Sequence, residues 1–177
     1  MRGFLALCLI GMLPLPAAAQ LQPGQGQVTG RYGVWTNFTS LSVASRPVCG
    51  TFAMDRDPSG EMRSFSIKFY GGDTHLTIQV FKNSWRIPGE TEVPFEYRID
   101  SGERIFGTAR GYGDKVEWLV DITTMQEWLR MFMFGNSLRL TFGNGNEPPM
   151  VLSLSGSAAS MSALARCVQQ VRATHRG

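Results

Sequence analysis

The sequence predicts a mainly β protein with two helices, an antiparallel β-sandwich or barrel with a C-terminal helix held against it by a disulfide. Three observations predict it. Apolar residues alternate with polar ones over six short stretches. Turn residues (Gly, Asn, Asp, Pro) separate those stretches. Of three cysteines, Cys49 and Cys167 follow an apolar N-terminal run that reads as an export signal. Period-two alternation marks strands with one buried and one wetter face. Six such strands joined by short turns mark an antiparallel sandwich or barrel.

The N-terminal run begins with Arg2, continues through the apolar Phe4 to Leu15, and ends at Pro14 and Pro16. It is shorter than a membrane-spanning helix requires. Ala17-Ala18-Ala19 supplies the small residues that a signal peptidase reads, which places a cleavable signal over residues 1–19. A membrane anchor is the competing reading, and the length argues against it. Cys8 lies inside the run instead of just after it, unlike a lipidated cysteine. The expected location is periplasmic or secreted, and the compact signal with its Gln start reads as bacterial.

Removing residues 1–19 leaves 158 of 177 residues, enough for one domain. Residues 20–30, rich in Gln and Gly, read as a flexible leader, residues 31–173 as a single β-rich domain, and residues 174–177 as a mobile tail. No second apolar stretch is long enough to span a bilayer. The net charge of +3 includes Arg2, and the arginines are scattered. No basic stripe of the kind that binds nucleic acid is present, so no nucleic-acid partner is expected.

The alternating apolar sets are Phe65, Ile67 and Phe69; Leu76, Ile78 and Val80; Val93, Phe95, Tyr97 and Ile99; Val116, Trp118, Val120 and Ile122; Leu138, Leu140 and Phe142; and Met150, Leu152 and Leu154. Pro94 inside the third set predicts an edge strand or a bulge. Two segments change period. Thr124 and Glu127 have the spacing of a capping box, Met125, Trp128, Leu129 and Phe132 share a helical face, and Gly135 is a stop. Ser157 can cap a second helix with a stripe of Met161, Leu164, Val168 and Val171. Cys167 adjoins that stripe. In an oxidising compartment Cys49 and Cys167 have one intramolecular pairing. Closing so long a loop contributes roughly 4–5 kcal/mol on chain-entropy grounds.

Candidate sites are few. Asp73 and His75 fall on one side of a strand start, where they can act as an acid–base pair or as part of a metal site. A turn aspartate beside a surface histidine is the plainer reading, and one pair supplies too few metal ligands. His175 lies in the tail. Leu154-Ser155-Gly156-Ser157 is not a nucleophile elbow. Glu90, Glu92 and Glu96 read as exposed strand acids unless a cleft separates a pair of them. No metal and no cofactor are expected. Phe81, Lys82, Trp85 and Arg86 can form an aromatic and cationic lip for an anionic or sugar ligand. The plainer alternative has Trp85 closing the core while Lys82 and Arg86 stay wet. Met131 and Phe134 are apolar residues left over once the first helix has packed its core face, a possible partner surface, with burial all round as the alternative. Asn37-Phe38-Thr39 matches a glycosylation sequon, relevant only in a eukaryotic secretory pathway.

Tyr32-Gly33-Val34-Trp35, the strand pair from Leu76 to Asp100 containing Ile87-Pro88-Gly89, and the ending from Ser137 to Leu154 followed by Gly156 and a helix form a pattern. It resembles small periplasmic proteins of the invasion-associated locus B type, common in alphaproteobacteria. The family's usual mid-chain second cysteine pair has no counterpart here. The resemblance implies an exported β-rich protein connected with the cell envelope or host contact, with no catalytic residues to carry over. The leading expectation is therefore a non-enzymatic binding or envelope-interaction module whose partner is an envelope or host protein. One alternative is a small periplasmic hydrolase using Asp73 and His75. Another is an inhibitor of a secreted enzyme that presents the Gly111-Tyr112-Gly113-Asp114 turn.

Overall fold

The computed structural model describes residues 22–174; residues 1–21, which include the expected signal, and residues 175–177, including His175, lie outside them. The elements run β1 (Gly26–Tyr32), β2 (Trp35–Leu41), β3 (Pro47–Arg56), β4 (Met62–Tyr70), β5 (His75–Lys82), β6 (Ile87–Ile99), β7 (Ile105–Gly113), β8 (Lys115–Asp121), α1 (Met125–Phe134), β9 (Ser137–Phe142), β10 (Met150–Ser153) and α2 (Ser157–Thr174). The strands form one antiparallel ladder in the order β1-β2-β3-β4-β5-β8-β7-β6-β9-β10. The sheet folds back far enough for β10 to lie against β3. The helices pack on each other, and α2 also covers β1, β2 and β3.

Each alternating set in the sequence falls on a strand with its apolar residues buried or partly buried, except that Ile122 and Leu154, both buried, lie one residue beyond β8 and β10. Phe65, Ile67, Phe69, Leu76, Ile78 and Val80 are essentially sealed from solvent. Phe65 touches Trp35, Trp118 and Phe132, so one ring joins β2, β8 and α1 in a common core. Such burial is the main favourable term in folding.

Four strands lacked that signal. β1 takes in residues 26–30 of the expected flexible leader, because their backbone pairs with β2 from Gly26↔Ser40 to Tyr32↔Trp35. β2 and β3 bury polar side chains beneath α2: the Thr51 and Ser160 hydroxyls lie 2.7 Å apart, and Ser160 donates to Asn37 Oδ1 at 2.8 Å. Asn37, the sequon residue, is itself buried and donates to the Ser160 carbonyl at 2.9 Å, which removes it as a glycan acceptor. β7 carries Gly107 and Gly111 where a side chain would strike Phe95 or Ile87. The expected strand pair, β5 and β6, does not form: Ile87-Pro88-Gly89 opens β6, and β8 and β7 lie between β5 and β6. β6 is also no edge strand. Pro94 is tolerated because its pairing with β9 begins only at Phe95↔Phe142, and the register shift in this strand falls between Ile87 and Thr91.

α1 buries Met125, Trp128, Leu129 and Phe132 as its spacing requires. The capping box does not form: Thr124 donates its hydroxyl to the Asp121 carbonyl at 3.0 Å. Gly135 ends the helix with an extended backbone, and a methyl group there would run into Ile99 and Leu154. Ser157 opens α2 and donates to the Phe132 carbonyl at 2.5 Å, linking the helices. Gly33 and Gly156, both at positive φ, allow the β1–β2 turn to approach the β10–α2 junction backbone to backbone. The disulfide Cys49–Cys167 spans 118 residues and joins β3 to α2.

Candidate functional site

Acid–base chemistry needs a free carboxylate or imidazole, and Asp73 is not free. His75 Nε2 does lie 3.4 Å from Asp73 Oδ2, as the shared strand face implies. The other oxygen is clamped by Arg46, whose Nε also donates to the Gly71 carbonyl at 2.8 Å. Among the described residues no three His, Cys, Asp or Glu side chains converge on a point a metal ion could occupy. Glu90 pairs with Arg110 at 2.6 Å and Glu96 with Arg104 at 3.5 Å, while Glu92 is exposed. The Gly111–Asp114 segment is a tight hairpin: Tyr112 pairs with Lys115, and its hydroxyl donates to Glu117. Burial, then that hydrogen bond, raises the Tyr112 pKa.

The expected ligand lip divides. Trp85 and Arg86 line a cavity of about 350 Å3 with Pro88, Phe142 and Glu147. Phe81 does not line it. Lys82 is buried beneath, contrary to the plainer reading that left it wet. The Lys82 ammonium donates to Asp57 at 2.7 Å and to Glu147 at 3.0 Å. Burial opposes its charge, but those hydrogen bonds outweigh burial and raise its pKa. The Trp85 indole donates to Glu147 at 3.0 Å, and Arg63 donates to the same carboxylate at 2.9 Å. Arg86 folds onto the carbonyls of Asn83 and Trp85. Of the two cations of this lip, Lys82 is thus turned inward as part of a structural network, while Arg86 stays exposed, as the plainer reading had it.

Met131 and Phe134 stand differently. Phe134 is 81% exposed at the end of α1, and Met131 is half-buried beside it. They line a groove of about 330 Å3 with Tyr97, Ile99 and Ile105, and with Asp100 and Glu103 on its lip. The Asp100 carboxylate accepts backbone N–H groups of Asn136 and Ser137 at 3.0 and 2.9 Å, which lowers its pKa. A second recess of about 270 Å3 shares Tyr97 and Ile105 and continues past Phe106, Leu119 and Trp128. It exists because β7 and β8 part. Their ladder covers only Arg110↔Glu117, Gly111↔Val116 and Tyr112↔Lys115, although β7 reaches back to Ile105 and β8 on to Asp121. Trp128 closes the inner side of the parting, its indole donating to the Tyr97 hydroxyl at 2.9 Å.

No family model, curated protein or solved structure matches this chain. The surface is therefore read on its own chemistry. Among the described residues, both exposed phenylalanines and the one exposed leucine, Phe106, Phe134 and Leu119, lie along this double groove. Sequence reasoning found Met131 and Phe134 but missed Phe106 and Leu119. A signal was present: Leu119 occupies an outward position of β8, between Glu117 and Asp121, where alternation calls for a polar residue.

Proposed function

We propose that this chain is an exported, non-enzymatic binding module that meets an envelope or host protein through the groove formed by α1, β6, β7 and β8. The observation that carries the reading is the gathering of Phe134, Phe106 and Leu119, 81%, 70% and 61% exposed, along two recesses that share Tyr97 and Ile105. Contiguous exposed apolar surface of this kind marks interaction sites. The disulfide favours an oxidising compartment, in agreement with the signal-like N-terminal run. The resemblance to invasion-associated locus B proteins points the same way, to the envelope or host contact. A hydrolase built on Asp73 and His75 is disfavoured by the Arg46 clamp, and an inhibitor loop at Gly113 by the tightness of the hairpin.

The test is affinity capture from an envelope extract with wild type and with Met131→Ser/Phe134→Ser, each bait first shown to be folded. A prey retained by the wild type and lost by the variant is expected. Identical prey sets would exclude this groove as the binding face.

A further inference from the structure

We propose that the parting between β7 and β8 receives an extended, basic and apolar segment of a partner chain, which adds as a strand to the free edge of β7. The inference rests on the groove being the binding face and names what binds there.

The direction of the β7 backbone carries the argument. In an antiparallel pair, opposed residues alternate between exchanging hydrogen bonds with each other and turning those groups away. Pro94 lies opposite Thr108 in the β6–β7 ladder. It has no N–H, and its carbonyl accepts from Gly143 N at 2.7 Å, on the side away from β7. Pro94↔Thr108 is therefore a pair that exchanges no hydrogen bonds, and the Thr108 backbone groups point away from β6, into the parting. Two residues back, those of Phe106 do the same.

The β8 partners that would meet them, in the register set by Arg110↔Glu117, are Leu119 and Asp121. That ladder stops at Arg110↔Glu117. The free edge of β7 thus presents the N–H and C=O groups of Phe106 and Thr108 to whatever enters, the arrangement that recruits an added strand. Apolar side chains flank it: Phe106 and Leu119 outside, Tyr97, Trp118 and Trp128 lining the recess. The charged residues lining the groove are Asp100 and Glu103, both acidic. The neighbouring cation, Arg104, is turned to Glu96. An incoming strand with alternating apolar residues and Lys or Arg toward the Phe134 end complements both features.

The experiment pans a phage-displayed random dodecapeptide library on the full disulfide-bonded chain and measures synthetic copies of the selected peptides. Selected sequences are expected to alternate apolar with basic residues and to slow amide exchange at Phe106 and Thr108 by about tenfold or more. Thr108→Pro deletes a donor that faces the parting and spares the β6 ladder. It is expected to weaken binding about tenfold, as is Phe106→Lys, a second variant in case the first fails to fold. Peptides that need Phe134 but bind Thr108→Pro undiminished, or bind as helices, would overturn strand addition and leave the groove reading standing. Peptides indifferent to Phe106 and Phe134, or no selected peptide at all, would overturn both. Self-association abolished by Thr108→Pro would make the added strand a second copy of this chain and overturn the foreign partner.

Discussion

Lys82 Nζ lies 2.7 Å from Asp57 Oδ2 and 3.0 Å from Glu147 Oε2, so one ammonium at the end of β5 ties the β3–β4 turn to the β9–β10 connection. Arg63 makes the same junction from β4, reaching Asp55, Glu147 and the carbonyls of Pro148 and Pro149. Cutting one partner out of a buried ionic network strands the others. Lys82→Met should therefore destabilise the fold by about 3–5 kcal/mol, read as a lower urea midpoint. A midpoint within error of wild type would mean that Asp57 and Glu147 are satisfied without it.

Carboxylates hydrogen-bonded in the folded state, one of them in this network, set an acid limit. Asp57 is held below the ordinary carboxylate range by its hydrogen bond from Lys82 and then that from Ser59. Asp100 is lowered by the backbone N–H groups of Asn136 and Ser137, and Asp121 by the hydroxyl and N–H of Thr123. A depressed folded-state pKa contributes stability above the unfolded value, which is lost as pH falls toward the folded one. Lys82 has the opposite sign: its contribution is present below the ordinary lysine pKa and is lost only in strong alkali. Stability should be level across neutral pH and fall below about pH 4. Urea midpoints at neutral and acid pH check this, and acid resistance would contradict it.

Gly156 has φ 85° and faces the Tyr32 carbonyl, whereas Gly60 has φ 87° and open space around it. Both pay the left-handed penalty on substitution, but only Gly156 also meets backbone. Gly60→Ala should cost about 1 kcal/mol and Gly156→Ala about 2–4 kcal/mol. Thermal unfolding of the two variants side by side measures the difference, and equal shifts would refute the close approach.

His75 is a third exposed, and Arg46 competes with it for Asp73. His75→Ala should change stability by less than about 1 kcal/mol. It should also leave any hydrolytic activity of the purified chain, in a panel of ester and peptide substrates, unaltered. Turnover that disappears with His75 would restore the hydrolase reading.

What the sequence made legible follows the physics of burial. Phe65, Ile67 and Phe69 alternate because one face of β4 meets the core and the other does not, and Met125, Trp128, Leu129 and Phe132 repeat as a helix must. β2 and β3 were opaque because Asn37 and Thr51 are buried polar groups whose partner, Ser160, lies more than a hundred residues away. β7 was opaque because its inward positions Gly107 and Gly111 are emptied to admit the side chains of β6. Lys82 looked like surface for the same reason: its acceptors come from two distant connections. At the groove, Met131 and Phe134 were readable as surplus on an amphipathic helix. The parting of β7 from β8 was not, since it depends on where a ladder ends.

The link between Cys49 and Cys167 orders events during the protein's biogenesis. A chain that emerges N-terminus first presents Cys49 long before α2 exists, and among the described residues the sulfur in β3 has no thiol to pair with until the last helix has been delivered. Covalent closure therefore comes late. It also encloses every connection from the β3–β4 turn to the start of α2, so a single proteolytic cut in any of them leaves two fragments joined through sulfur.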